Sequence, residues 1–184
     1  MTQKRDEMEI VREYSNRPPV DLPGLIGALG VKYLERPMQD DISGQIRKID
    51  TGDYEITVNS RHAPVRKRFT AAHELGHYLF HRHLLDGEHV DILYRQNGNP
   101  YAGKGSRINQ SHEVQANRFA ANVLMPMHLL DAIRATGVEG TEELANLFNV
   151  SRQAMEIRLG RNRNYRNFEL EEEDEDEEDR ALQF

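Results

Sequence analysis

The sequence contains no cysteine among its 184 residues. This absence excludes disulfide bonds, thiol catalysis and metal sites built from thiolates, so any zinc site must rest on histidine and carboxylate ligands. There is also no apolar run of about 18 residues, the length that a membrane-spanning helix needs, and no signal-like start. We therefore expect a soluble protein of a reducing cytoplasm that makes no membrane contact.

Acidic residues outnumber basic ones by 31 to 24, which gives a formal net charge of −7. Ten of the acids fall within residues 169–179, a segment that contains no lysine or arginine. Without residues 169–180, 21 acidic and 23 basic residues remain, so the rest of the chain is slightly basic. The composition predicts that residues 169–184 form a solvated, disordered acidic tail.

The clearest chemical motif lies in a segment whose apolar residues recur with helical spacing, at Phe69, Ala72, Leu75, Leu79 and Phe80. His73 and His77 are about one helical turn apart, so both imidazoles can reach a single ion. Glu74 is rotated by roughly 100° from His73, where it can serve as a general base without binding the metal. This is the HExxH arrangement of zinc hydrolases. The alternative is a core helix that happens to carry two surface histidines.

Gly76 occupies a position inside this motif. Glycine in the interior of a helix costs about 1 kcal/mol relative to alanine. The absence of a side chain is understandable if another backbone or a substrate must pass close by, and we predict such an approach at Gly76.

The metal needs a third protein ligand, and His83 is one candidate. It follows His77 by six residues, the spacing of the third histidine in the longer HExxHxxGxxH pattern. That pattern requires a glycine where this chain has Phe80, because the helix must break there in a left-handed conformation. If the helix continues instead, His83 lies about 9 Å along the axis from His77, and neither it nor His81 completes the site. Both would then form the polar end of the helix.

Glu113 is the other candidate, near the start of a second predicted helix that Ser111 would cap and Pro126 would end. Glu113 and Asn117 share one helical face. Glu113 could therefore bind the ion while the Asn117 amide hydrogen-bonds one of the ligands. Alternatively, Glu113 is simply a carboxylate favoured by the helix dipole. Spacing alone does not decide between these interpretations.

The other segments predict an α+β fold. We expect a mostly helical domain with a small sheet of about three strands packed on the HExxH helix. The predicted elements are a helix over residues 3–14, a helix capped by Asp21, strands at Val31–Glu35, Ile42–Ile49 and Tyr54–Val58, and a further candidate strand at Arg61–Arg68.

A polar segment, Gly87–Arg107, separates the two helices that carry the candidate ligands. It is longer than most loops, and long loops beside catalytic sites often act as lids or substrate clamps. Its candidate substrate or oxyanion contacts are Tyr94, Arg95, Tyr101 and Arg107, although each is also compatible with ordinary loop surface.

The C-terminal part predicts helices at residues 127–135, 141–148 and 151–159, and the last two resemble a helix-turn-helix. Arg152, Arg158 and Arg161 would give this pair a basic rim suited to weak nucleic-acid contact. The alternative is a purely structural helix pair. The expected division is therefore a domain over 1–136, a helix-turn-helix-like segment over 137–168 packed on it, and the tail over 169–184.

Two blocks of this sequence together resemble the ImmA/IrrE family of zinc metallopeptidases. The first runs from Arg68 to His81 and contains HELGH, the second runs from Glu113 to Pro126, and Tyr94-Arg95 lies between them. The resemblance spans residues 20 to 160. It implies a zincin-like domain in which His73, His77 and Glu113 hold one Zn²⁺ ion and Glu74 is the base. Gln115 departs from the family, which often has an acidic residue just before the Ala-Asn pair.

The resemblance also implies a function. We expect a zinc-dependent endopeptidase that cleaves a helix-turn-helix transcriptional repressor and thereby derepresses phage, mobile-element or stress-response genes. The alternative from another class is a regulatory protein that binds a repressor or DNA and whose metal is structural or sensory, without proteolysis. A third possibility is a descendant that has lost its metal.

Overall fold

A computed structural model of the chain describes residues 6–85, 88–92 and 107–161, with residues 88–92 described by their backbone alone. Among these residues, no helix is both long and apolar enough to cross a lipid bilayer. The elements are, in chain order, helices α1 (Glu7–Tyr14) and α2 (Leu22–Ala28), strands β1 (Lys32–Arg36), β2 (Ile42–Lys48) and β3 (Tyr54–Asn59), helix α3 (Pro64–Gly76) followed by a π-helical turn (His77–His81) and a 3-10 turn (Arg82–Leu84), strand β4 (Glu88–Ile92), and helices α4 (Gln110–Leu124), α5 (Met127–Arg134), α6 (Thr141–Phe148) and α7 (Arg152–Arg158).

The first two helices begin at aspartates that cap free backbone N–H groups. Asp6 accepts a hydrogen bond from the backbone N–H of Met8, and Asp21 accepts one from that of Gly24. Pro23 lies in the first turn of α2, where its fixed φ angle suits a helix start. Gly30 follows the helix with a φ of +76°, a conformation that favours glycine. Both helices and the Asp21 cap agree with the sequence prediction.

The sheet has the strand order β1-β3-β2-β4. β1 pairs with β3 in parallel, whereas β2 pairs antiparallel with both β3 and β4. The β2–β3 hairpin closes at Ile49, whose N–H donates to the carbonyl of Asp53 at 2.8 Å. The α+β class and the hairpin are confirmed. The fourth strand lies in the segment that the sequence predicted as loop.

The candidate strand at Arg61–Arg68 is wrong, because α3 already begins at Pro64. Proline at the first helical position lacks an N–H that would have no partner there in any case. The basic side chains of this turn bind other parts of the fold. Lys67 pairs with Glu35 of β1 at 2.6 Å, and Arg68 donates to the backbone carbonyl of Val20 at 3.0 Å.

Helix α3 lies in the centre of the fold, in contact with β2 and β3 of the sheet and with α4. The approach of α4 is closest at Gly76. A Cβ atom built on Gly76 would lie 3.1 Å from Cα of Ala116 and 3.2 Å from Cδ1 of Phe119. The predicted close approach of another backbone at Gly76 is therefore confirmed. Leu75 and Phe119 are fully buried beside this contact.

The C-terminal helices are connected to this core by hydrogen bonds from arginine side chains to backbone carbonyls. Asn149 turns the chain between α6 and α7 with a φ of +52°, and its carbonyl accepts a hydrogen bond from Arg68 of α3. Arg158 of α7 donates to the carbonyl of Met125 at the end of α4, at 2.9 Å. The boundaries at residues 136 and 168 stay a prediction. The acidic tail over 169–184 lies outside the described residues.

We predict that Gly76→Ala destabilises the protein by roughly 1–2 kcal/mol in denaturant unfolding. The substitution improves helix propensity by about 1 kcal/mol. However, the added methyl would meet the backbone of Ala116, so α3 and α4 would have to move apart. The matched control is Gly27→Ala in α2, where an added Cβ meets nothing within 4 Å. That variant should be stabilised by about 0.4–1 kcal/mol. Equal stabilisation of both variants would contradict a tight contact at Gly76.

Candidate metal centre

Three potential metal ligands converge between α3 and α4. His73 lies in α3, His77 is the first residue of the π-helical turn and Glu113 lies in the first turn of α4. Nε2 of His73 is 3.0 Å from Nε2 of His77 and 3.2 Å from Oε2 of Glu113. Nε2 of His77 is 3.6 Å from Oε1 of Glu113. We call these three residues the donor cluster.

The spacing within the donor cluster suits a small divalent cation. Zinc binds nitrogen and oxygen at about 2.0–2.2 Å in a tetrahedral arrangement, which places neighbouring ligand atoms roughly 3.3–3.5 Å apart. The three donor–donor distances, between 3.0 and 3.6 Å, bracket that separation. The sequence predicted these three ligands, and the structure brings them together. Their binding of a metal stays a prediction.

The pKa of Glu113 lies well below its usual range. Burial by itself would raise this pKa, but the adjacent imidazoles of His73 and His77 lower it by more. Glu113 is therefore ionised at neutral pH. The donor cluster offers one carboxylate and two imidazoles, a set that matches the mixed nitrogen and oxygen ligands of catalytic zinc sites.

Asn117 occupies the place that the sequence predicted for it. Its Oδ1 lies 2.9 Å from Nδ1 of His73. Because an amide oxygen only accepts, Nδ1 of His73 carries the proton, and the lone pair of its Nε2 faces the donor cluster. This is the usual way in which a neighbouring polar group orients a metal-binding histidine.

His81 contradicts the expectation that it forms part of a polar, cationic helix end. It is 3% exposed, and its Nδ1 lies 3.0 Å from Nδ1 of His77. Burial lowers the pKa of His81 to about 4, although its hydrogen bond with Gln115 opposes this shift. The side chain is therefore uncharged at neutral pH. Its position four residues after His77 was the signal in the sequence, since i and i+4 share a helical face. His83, in contrast, is exposed and lies outside the donor cluster.

Glu74 is fully buried and does not belong to the donor cluster. Its carboxylate faces β2, where Oε1 would lie 3.7 Å from a Cβ atom built on Gly44. The same Cβ would collide with the methyl group of Thr70. Glycine at position 44 therefore lets the strand pass close to this turn of α3. The end of α3 and the turn that follows it thus place two imidazoles in the donor cluster and one carboxylate beside the sheet.

Helix α4 begins at Gln110, two residues before the predicted start. Asn109 is the capping residue instead of Ser111, because its side chain accepts a hydrogen bond from the N–H of His112 at 3.1 Å. The His112 ring accepts one from the N–H of Asn109 in return, also at 3.1 Å. This reciprocal pair fixes the first turn of α4, from which Glu113 projects.

The remaining predicted contacts lie elsewhere. Tyr94 and Arg95 are outside the described residues. Arg158 and Arg161 bind backbone carbonyls, those of Met125 and Glu139 respectively. Arg152 pairs with Glu156 at 2.9 Å while its side chain remains 68% exposed. Nucleic-acid contact through these arginines stays a prediction.

Comparison with known families agrees with this geometry. The family model of the IrrE N-terminal-like domain, peptidase family M78, matches residues 26–160. The chain belongs to the IrrE N-terminal-like family. The predicted family is thereby confirmed, and all three residues of the donor cluster lie within the matched range.

A curated relative extends the comparison. The IrrE-like chain is 35% identical over 82 residues to the radiation response metalloprotease IrrE of Deinococcus deserti. The match covers 45% of this chain and 26% of that relative. The matched part of this chain thus spans about a quarter of the relative's length.

We predict that Glu113→Gln lowers the affinity for Zn²⁺ by on the order of 100-fold or more, because it replaces the anionic donor with a neutral amide. Competition with a chelator and elemental analysis of the purified protein measure this. Glu139→Gln removes one exposed carboxylate outside the cluster and should leave affinity unchanged. Wild-type affinity in Glu113→Gln would exclude Glu113 from the ligands.

Proposed function

We propose that this chain is a zinc-dependent endopeptidase that hydrolyses a peptide bond in a protein substrate. The observation that carries the proposal is the donor cluster with a buried carboxylate, Glu74, next to it on the same helical turn. Membership of a peptidase family supports it, as does a relative named a metalloprotease.

We assign the tasks of peptide hydrolysis to four residues of the site. His73, His77 and Glu113 would hold the ion. When bound, zinc polarises the scissile carbonyl and lowers the pKa of water towards about 7. Glu74 accepts the proton of the attacking water and returns it to the leaving amine as the peptide bond breaks. Glu74 projects from α3 and is buried beside β2, so its carboxylate is held in place for both proton transfers.

The charge of the donor cluster suits this chemistry. As metal ligands the two imidazoles would be neutral, so with the carboxylate they would neutralise only half of the charge of a divalent cation. The occupied site would therefore retain positive charge, which would stabilise the negative oxygen that develops on the carbonyl during attack. A second carboxylate in the cluster would weaken that effect, and Glu74 is not one of its members.

We further propose that the substrate is a helix-turn-helix transcriptional repressor, cleaved to derepress phage, mobile-element or stress-response genes. The resemblance to the ImmA/IrrE family supports this substrate. The Deinococcus deserti relative carries a radiation response in its name, which favours the stress-response form of the proposal. The reaction would take place in the cytoplasm, in keeping with a sequence that has no cysteine.

We predict that Glu74→Gln retains zinc but lowers the rate of hydrolysis by about 10²–10⁴-fold, because glutamine cannot accept the proton. The assay is co-expression with a candidate helix-turn-helix repressor, followed by mass spectrometry of the fragment. Glu55→Gln is the matched control, since Glu55 is another buried carboxylate but pairs with Arg47 and Lys32 on the sheet. It should cleave normally. Cleavage at the wild-type rate by Glu74→Gln would exclude Glu74 as the base.

The second candidate function is a regulator that binds DNA or a repressor through residues 141–166. The observation in its favour is the α6–α7 pair, joined by a tight turn at Asn149, with the exposed Arg152 at the start of α7.

We predict that the charge reversal Arg152→Glu leaves cleavage of a supplied repressor within about twofold of wild type, because this exposed residue lies outside the metal site. Arg152 is the suitable position, since among the described residues its side chain bonds only to Glu156 of α7, whereas Arg158 also supports the fold. Arg152→Lys is the control for loss of the guanidinium alone. A regulator that depends on DNA would instead lose its effect on transcription in Arg152→Glu and keep it in Arg152→Lys.

A further inference from the structure

A chain of hydrogen-bonding groups leads from His77 away from the donor cluster. Nδ1 of His77 lies 3.0 Å from Nδ1 of His81, and Nε2 of His81 lies 2.8 Å from Oε1 of Gln115. His81 is buried and His77 is completely so. The π-helical turn between them places the two rings side by side, with centroids 5.1 Å apart. We call His81 and Gln115 the His77 relay.

The proton positions in the relay follow from Gln115, the residue farthest from the donor cluster. An amide oxygen can only accept, so Nε2 of His81 carries the proton. In an uncharged imidazole the other nitrogen is then an acceptor, and Nδ1 of His77 must be the donor to it. With its proton on Nδ1, His77 presents the lone pair of Nε2 to the donor cluster, where this atom lies 3.0 Å from Nε2 of His73 and 3.6 Å from Oε1 of Glu113.

We propose that Gln115 and His81 are positioning residues that fix the tautomer and the orientation of His77 for metal binding. The inference rests on the proposed metal site and deepens it, and it does not depend on which protein is cleaved. Asn117 makes the corresponding contact with His73 directly, without an intervening residue. Helix α4 therefore supplies one ligand and also the side-chain amide that orients each of the other two.

The direction of hydrogen-bond donation along the relay depends on which group of the Gln115 amide faces His81. In the structure it is the oxygen, at 2.8 Å. Rotation of the amide by half a turn would present its NH₂ group to His81, which would then have to accept at Nε2 and donate from Nδ1. His77 would accept at Nδ1 and carry its proton on Nε2, where a metal cannot bind. A carboxylate at this position only accepts when it is ionised, so glutamate would favour the binding-competent direction.

His112 shields the relay without interrupting it. Its ring lies 4.6 Å from the ring of His81, centroid to centroid. Its Nδ1 already accepts a hydrogen bond from the N–H of Asn109. The contact with His81 is therefore one of ring packing, and it leaves both nitrogens of His81 to the relay.

The experiment uses the full chain and Zn²⁺. We expect Gln115→Leu, which removes the acceptor and keeps a similar volume, to weaken zinc binding about 10–100-fold in chelator competition. In the metal-free protein, ¹⁵N spectra of the imidazole rings should show His77 protonated on Nδ1 in the wild type and a shift towards Nε2 protonation in Gln115→Leu. Gln115→Glu should restore both the affinity and the Nδ1 tautomer.

Two further variants separate positioning from general damage to the fold. Asn117→Leu should shift the tautomer of His73 and leave that of His77 unchanged. His81→Phe fills the same space without ring nitrogens and should weaken zinc binding as Gln115→Leu does. Wild-type zinc affinity and an unchanged His77 tautomer in Gln115→Leu would overturn the inference, as would a His77 protonated on Nε2 in the wild type.

The result is distinguishable from failure of the proposed function. A chain that binds zinc with an affinity that depends on Gln115, yet cleaves no protein, would support the relay and overturn the peptidase proposal. A wild-type chain that binds no zinc would overturn both.

Discussion

The contact between α3 and α4 at Gly76 is the constraint on which the site depends. The histidines belong to one helix and its extension, whereas Glu113, Gln115 and Asn117 belong to the other. Because these side chains are short, they meet only if the helix backbones come close together. The missing side chain at Gly76 permits this, since a Cβ there would lie 3.1 Å from the backbone of Ala116. The 3.2 Å distance between Nε2 of His73 and Glu113 is a consequence.

The same geometry separates the two roles of carboxylates in the site. Glu113 comes from α4 and lies beside both imidazoles, which hold its pKa below the usual range despite its burial. Glu74 comes from α3 and faces the sheet at Gly44. Adjacent positions in one helix point about 100° apart, so Glu74 does not join His73 among the candidate ligands. A single helical turn therefore provides a ligand and a base that do not compete for one ion.

Helical periodicity was sufficient to predict the HExxH turn of α3 and the shared helical face of Glu113 and Asn117, because both follow from local spacing. It did not predict the start of α3 at Pro64. It could not choose between Glu113 and His83 as the third donor, since that choice depends on which helix packs against α3. The strand β4 was missed for a related reason: an edge strand with one partner, β2, needs little apolar sequence. His81 was misjudged because its burial depends on α4, whose Gln115 supplies the partner for its ring.

Two arginine side chains connect the C-terminal helices to the helices that carry the donor cluster. In sequence the arginines of the C-terminal part resemble a basic rim for phosphates. In the structure Arg158 binds the carbonyl of Met125, and Arg68 of α3 binds that of Asn149. Both carbonyls follow the last turn of a helix, where backbone acceptors have no partner within the helix. These side chains therefore fasten α6 and α7 to the two helices that carry the donor cluster. Of the predicted basic rim, Arg158 thus serves an internal interface, whereas Arg152 stays exposed.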